Sequence, residues 1–262
     1  MIIDAHAHLG HADGKSGKFY HAAELLKEMK KGGVTYALVL ADYGEGEGLG
    51  VKQLLEEIKG HKNLFTVPNW HKKFALEELE EIADFMRVGL VRGFKVYPGY
   101  DQVWPTDKRL DAIYDLCEKY DYPVIFHTGL FYPSKSALLK YSHPLPIDKL
   151  ALKRPKLKII IAHSGYPWAR EAAAVVHKND NVYSDISGFL EFEKFDKGKK
   201  KHFTQIMMEM RGIAGTLNKF LFGTDYPLAS HKDYVKFVKQ LPITKEEKDF
   251  IFFKNAKNLF KI

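Results

Sequence analysis

Cysteine is nearly absent. The 262-residue chain has one, Cys117, so no internal disulfide can staple it, and a reducing, cytoplasmic setting is the expectation. Long apolar runs are missing as well. None approaches the roughly 18 residues a membrane span needs, and the opening MIIDAHAHLG has no basic segment leading into an apolar one, which argues against export and against a membrane partner. No linker rich in Ser, Gly and Pro divides the chain, so one domain over 1–262 is expected. Charge is not gathered by sign. Lys and Arg number 40 against 33 Asp and Glu, a net +7 spread along the chain, with one short cluster, KGKKK at 197–201, that carries no interleaved aromatics. That cluster reads as a solvated helix start or loop, and nucleic acid is a poor candidate partner. Two catalytic signatures also fail. AHSGY around Ser164 is not the G-x-S-x-G elbow of a serine nucleophile, and GEGEGLG at 44–50 lacks the Gly-Lys-Ser/Thr ending of a phosphate-binding loop.

What is present is an ordinary globular balance, 45% hydrophobic and 28% charged, which supplies a core. Eight runs rich in β-branched and apolar residues recur: 2–6, 34–41, 63–69, 91–97, 123–128, 158–163, 181–187 and 219–225. Their starts lie 23 to 38 residues apart, about the span of one strand, one helix and two loops. Between them, stretches such as 22–31, 75–87 and 109–120 place apolar residues three and four apart, as helices packed on a sheet do. Runs such as IIIA at 159–162 are apolar without alternation, which favours parallel strands covered on both faces. Eight such units predict an α/β fold, a (β/α)8 TIM barrel with some distortion allowed, ahead of an open doubly wound sheet of five or six strands. Cys117 falls on the apolar face of the 109–120 helix and is expected to be buried.

A barrel brings the carboxyl ends of all eight strands to one mouth, where this fold keeps its active sites. The polar residues at those ends are therefore the candidates. The first strand ends in His6-Ala7-His8, whose i, i+2 spacing points both rings to one side; the fifth ends at His127, the sixth at His163 and the eighth at Asp225. Four imidazoles and a carboxylate suit zinc or a similar divalent ion, manganese being the other candidate. Asp4 is expected either to share the side of His6 and orient it or to anchor the strand. Lys95, in the fourth run, would put a cation inside the barrel, where it is a carbamate bridging two ions, an ammonium binding a substrate carboxylate, or half of an ion pair. Asp185, His71 and His11 are further candidates for the mouth, although each alone reads as structural. Tyr97, Tyr100, Trp104, Phe131 and Tyr132 could wall in a small substrate, and Lys135 and Lys140 lie in a long stretch, 129–144, that could close over an acidic one.

The ordered set DAHAH, FHTG, AHSG and GTDYP resembles the amidohydrolase superfamily over nearly the whole chain, and GTDYP with the ending KNAKNLFKI looks most like its amidohydrolase-related branch. By that resemblance His6, His8, His127 and Asp225 hold a catalytic divalent metal, one ion or two, and His163 meets the substrate or a second ion. It also implies that Asp225 takes a proton from an activated water and passes it to the leaving group. The activity implied is metal-dependent hydrolysis of a C–O or C–N bond in a small, anionic ester, lactone or amide, with Lys95, Tyr97, Tyr132 and Lys135 as substrate-binding residues. Decarboxylation of an aromatic or unsaturated acid without oxidation is the near alternative. Lys95 stands where similar TatD-like nucleases carry a glutamate, which lowers that reading; a non-catalytic metal- or ligand-binding barrel is the remaining class. A homo-oligomer stays open.

Overall fold

The computed structural model describes residues 1–11, 17–41, 49–72, 74–131, 134, 136–189 and 196–262. All eight predicted runs contain strand. In chain order these are β1 (Ile3–Ala7), β2 (Tyr36–Leu40), β3 (Leu64–Val67), β4 (Asn69–Trp70), β5 (Phe94–Val96), β6 (Val124–Phe126), β7 (Ile159–Ile161), β8 (Val182–Asp185) and β9 (Phe220–Leu221). The third run is split because Pro68 has no N–H to give the ladder, while its carbonyl still accepts from the Lys95 N–H at 2.8 Å.

The ladders between these strands are all parallel, β1-β2-β3 in one sheet and β4 through β9 in chain order in the other. Backbone bonds join the two sheets at both seams. On one side the Thr66 N–H donates to Leu90 O at 3.1 Å and the Arg92 N–H to Thr66 O at 3.0 Å. On the other, Ala5 N–H donates to Phe222 O (2.9 Å), Asp225 N–H to His6 O (2.8 Å) and His8 N–H to Tyr226 O (2.7 Å). The fold is a TIM barrel, its eight runs set in a ring with two irregular seams.

Two apolar layers hold it. Residues of alternate parity, Phe94, Val96, Val124, Phe126, Ile159 and Ile161, turn outward onto the helices, where they meet residues such as Leu25, Met29, Ile82, Ile113 and Cys117. The others, among them Ile3, Leu38, Val67, Ile125, Ile160 and Leu221, fill the barrel. The helices are α1 (Ala22–Gly32), α2 (Val51–Glu57), α3 (Leu76–Arg87), α4 (Pro98–Asp101), α5 (Asp111–Tyr120), α6 (Pro146–Lys153), α7 (Ala169–Lys178), α8 (Lys197–Ala214), α9 (His231–Gln240), α10 (Lys245–Asp249) and α11 (Asn255–Phe260). Lys197–Lys201 open α8, a helix start rather than a loop, with Asp196 capping the Lys199 N–H at 2.8 Å. Among the described residues no helix is long and apolar enough to cross a membrane.

Candidate active site

The first strand does not run straight into its histidines. Its register against β2 shifts between Asp4 and Ala7. Ile3 and Ala5 face the barrel interior, while Ala7 packs with the outer layer, so the side chains change faces between Ala5 and His6. Asp4 consequently bonds the His6 backbone, its Oδ1 accepting from that N–H at 3.0 Å, and leaves the ring to another partner. Its Oδ2 accepts from the Thr224 hydroxyl at 2.6 Å and lies 2.9 Å from Nε2 of His231 on α9, which makes it the anchor of the 222–226 segment.

His6 is oriented by Asp185, at the end of β8. Its Nδ1 lies 2.9 Å from Asp185 Oδ2 and 3.2 Å from Ser187 Oγ. A carboxylate can only accept, so Nδ1 carries the hydrogen and Nε2 is left with its lone pair. Two atoms face that lone pair, Lys95 Nζ at 3.1 Å and Asp225 Oδ1 at 3.5 Å. In His8, Nδ1 donates to Leu40 O at 2.9 Å, and Nε2 stands 3.2 Å from Asp225 Oδ1. On the far side of the mouth, His127 Nε2 donates to Leu130 O at 3.1 Å, which leaves Nδ1 bare 3.2 Å from Nε2 of His163. The turn after His127 needs Gly129 (φ +85°), since a Cβ there would sit 2.2 Å from Tyr166 O.

His163 (φ 57°) and Ser164 (φ 45°) are both left-handed, and so is Asp225 (φ 61°). Three non-glycine residues held this way at two strand ends mark strain gathered at the mouth, where function concentrates it. Electrostatics divides the groups cleanly. Burial lowers the pKa of His6 despite Asp185, and it drives His127 well below the usual imidazole value and His163 down to about 4, so all three rings are neutral at neutral pH. Burial works the other way on Asp225, but the facing rings of His163, His8 and His6 outweigh it and keep the carboxyl ionised. Asp185 is likewise held below the carboxylate range, burial being outweighed by His6, His163 and Ser187.

These facts test whether a cation fits. Nε2 of His8 and Nε2 of His6 stand 3.2 and 3.5 Å from the same Asp225 oxygen, so two ring nitrogens and a carboxylate converge on one buried point. Ligand atoms of His6, His163 and Asp225 all lie within 4.8 Å of one another. Neutral imidazoles with one carboxylate are the ligand set of zinc and its neighbours, and the Asp185–His6 bond is the second-layer contact such ligands need. The residues fit a divalent ion.

Lys95 is fully buried on β5, level with Ile125 and Ile160 in the inner layer. Tyr97 is buried behind it, its hydroxyl donating to Ala41 O at 2.9 Å and its ring stacked on His127 at 5.5 Å. Tyr100 packs against Phe131 at 5.1 Å, while Trp104 lies outside, 41% exposed, against Tyr141. His11 is exposed against Phe19, His71 packs on Phe74, and Lys140 is exposed over Tyr141. Tyr132 and Lys135, expected to touch substrate, lie outside the described residues, as does most of 44–50. Sequence reasoning did not single out Ser187. The signal was available, because Asp185-Ile186-Ser187 repeats the i, i+2 spacing of His6-Ala7-His8 at another strand end.

Fold and site together define a TIM barrel with a mouth lined by histidine and aspartate. The family model described as amidohydrolase matches residues 3–262, so the chain belongs to the amidohydrolase family and is an enzyme of that superfamily. No curated protein sequence matches it. Among solved structures it is similar to an amidohydrolase from Burkholderia multivorans with bound zinc (15% identity, TM-score 0.77, covering 100% of this chain and 99% of that one). It is similar also to a probable 2-pyrone-4,6-dicarboxylic acid hydrolase from Acinetobacter baumannii with citric acid bound (16%, TM-score 0.71, 100% and 99%). A third is the 2,6-dihydroxybenzoate decarboxylase from Rhizobium (15%, TM-score 0.71, 99% and 98%).

Proposed function

We propose that this protein, as one barrel domain over 1–262, is a metal-dependent hydrolase of a small anionic ester, lactone or amide. The observation that carries the reading is the set of neutral imidazoles crowded onto one ionised carboxylate, with ligand atoms of His6, His163 and Asp225 within 4.8 Å. His6, His8, His127 and Asp225 would hold the ion, zinc first and manganese second, with His163 meeting the substrate or a second ion. A divalent ion there would polarise a carbonyl oxygen and lower the pKa of water.

The chain's own groups supply the rest. Asp225, ionised and fixed by its backbone bond to His6 O, accepts the proton of the attacking water and returns it to the leaving oxygen or nitrogen. Neutral His163 can hydrogen-bond the substrate beside it. The Lys95 ammonium, its Nζ 3.1 Å from His6 Nε2, meets the substrate's carboxylate. The ring of Tyr97 closes the wall behind His127. The solved structures of a pyrone dicarboxylate hydrolase and a dihydroxybenzoate decarboxylase support an acidic substrate.

The test is turnover of a panel of small lactones, esters, amides and aromatic acids that carry a carboxylate, by wild type and Asp225→Asn. Hydrolysis lost by about 10²- to 10⁴-fold in the variant, with the fold intact, is expected. An unchanged rate overturns the role of Asp225, and release of carbon dioxide with no water consumed replaces hydrolysis by decarboxylation. Elemental analysis of the same protein separates the states of Lys95. One equivalent of metal supports the unmodified ammonium; two, with a mass gain of one carbon dioxide, give the carbamate.

A further inference from the structure

Ser187 lies two residues past Asp185 and is fully buried. Its Oγ makes three contacts: 2.5 Å to Asp185 Oδ1, 2.9 Å to His163 Nδ1 and 3.2 Å to His6 Nδ1. The hydroxyl has one hydrogen to place. Asp185 Oδ1 already accepts from two backbone N–H groups and so has no hydrogen to give, and an oxygen–oxygen contact of 2.5 Å therefore requires the Ser187 hydrogen to lie between them. Asp185 is itself locked by three further donors, the backbone N–H groups of His163 (2.9 Å) and Ser187 (3.0 Å) and the ring of His6 (2.9 Å). The Ser187 oxygen is thereby left as an acceptor towards His163, and only an N–H can satisfy it.

The geometry points to Ser187 as the positioning residue that selects the tautomer of His163, placing hydrogen on Nδ1 and leaving Nε2 as a bare donor of electrons to the mouth. Left to itself the ring would choose otherwise. His127 Nδ1, bare because Nε2 donates to Leu130 O, stands 3.2 Å from His163 Nε2 and would accept a hydrogen from it. Ser187 denies it that bond and so keeps two bare nitrogens facing each other. Pre-setting one ring nitrogen through a partner on the other is how a protein readies a histidine ligand. The consequence for metal binding rests on the function proposed above; the tautomer itself does not.

The experiment is long-range proton–nitrogen correlation NMR of metal-free protein labelled at histidine nitrogens, at neutral pH, with the His163 signals identified by their loss in His163→Asn. In wild type, His163 is expected to be the Nδ1–H form. In Ser187→Ala it should switch to Nε2–H, donating to His127, and Ser187→Thr, which keeps the hydroxyl, should restore the wild-type pattern. Zinc affinity, read by competition with a chromophoric chelator, should fall about 10- to 100-fold in Ser187→Ala and recover in Ser187→Thr. A wild-type ring in the Nε2–H form overturns the inference whether or not the variants fold, and so does an unchanged tautomer in Ser187→Ala. The expected tautomer switch in a protein that binds no zinc upholds the inference and removes the metal reading.

Discussion

Asp101 shows how one side chain can oppose the fold that holds it. It ends α4 only 1% exposed, and its Oδ2 has no hydrogen-bond partner among the described residues. Burial raises its pKa from 3.8 to about 6, against the opposing pull of Lys72 and Arg109. The folded state therefore binds this proton more tightly than the unfolded chain, and from about pH 4 to 6 rising pH costs stability, the whole cost being present at neutral pH. Asp101→Asn removes the charge and should stabilise the protein at pH 7 by about 1–3 kcal/mol, at 1.36 kcal/mol per pKa unit, with the gain gone near pH 4. Urea denaturation at the two pH values reads this directly, and equal stability of variant and wild type at pH 7 refutes it.

At the scale of elements, α11 decides whether the barrel has a floor. Ala256, Leu259 and Phe260 enter the inner layer beside Ile3, Leu38 and Leu221. Arg92, just before β5, holds the end of this helix by donating to Phe260 O and Lys261 O at 2.6 Å each, with its guanidinium 3.6 Å over the Phe65 ring. Asn255 ties the helix start to Phe220 O at 2.8 Å. Phe260→Ala should cost about 3–5 kcal/mol, the range for truncating a buried aromatic. The mouth lies at the opposite ends of the strands, so bound metal per chain should not change. Denaturant melts with elemental analysis check both halves, and loss of metal without loss of stability would contradict this division.

For the whole molecule, the buried histidines tie stability to pH. Burial lowers His6, His127 and His163, the last to about 4, while in the unfolded chain each titrates near 6.5. Below that value the unfolded chain takes up protons the fold refuses, so metal-free protein should lose stability as pH falls from about 6.5 towards 4 and change little with these groups above it. Asp101 opposes the trend over part of the window, but one carboxyl is set against three rings. Zinc at a hundredfold excess over its Kd should add about 2.7 kcal/mol at neutral pH, an increment that fades as ligands protonate. Thermal melts with zinc and with chelator, at neutral pH and at pH 5, measure both effects; a chelator-insensitive Tm at neutral pH would count against bound metal.

The sequence by itself determined the eight strand runs, because period and β-branched composition are local properties. It also placed four histidines and an aspartate at strand ends, since a barrel turns strand-end position into a shared mouth. Burial of Cys117 was legible from its helical spacing, whereas the basic run at Lys197 left helix start and loop open. Which way each ring points was not. The face change within β1 sent Asp4 to Thr224 and left Asp185, 179 residues from His6, to orient that ring. The contacts of Lys95 with His6, of His163 with His127, and of His6 and His163 with Ser187 also join residues from different strands. Such pairings, and the tautomers and pKa values that follow from them, depend on register and desolvation. Both arise only when the strands close on one another, and no local pattern in the chain encodes them.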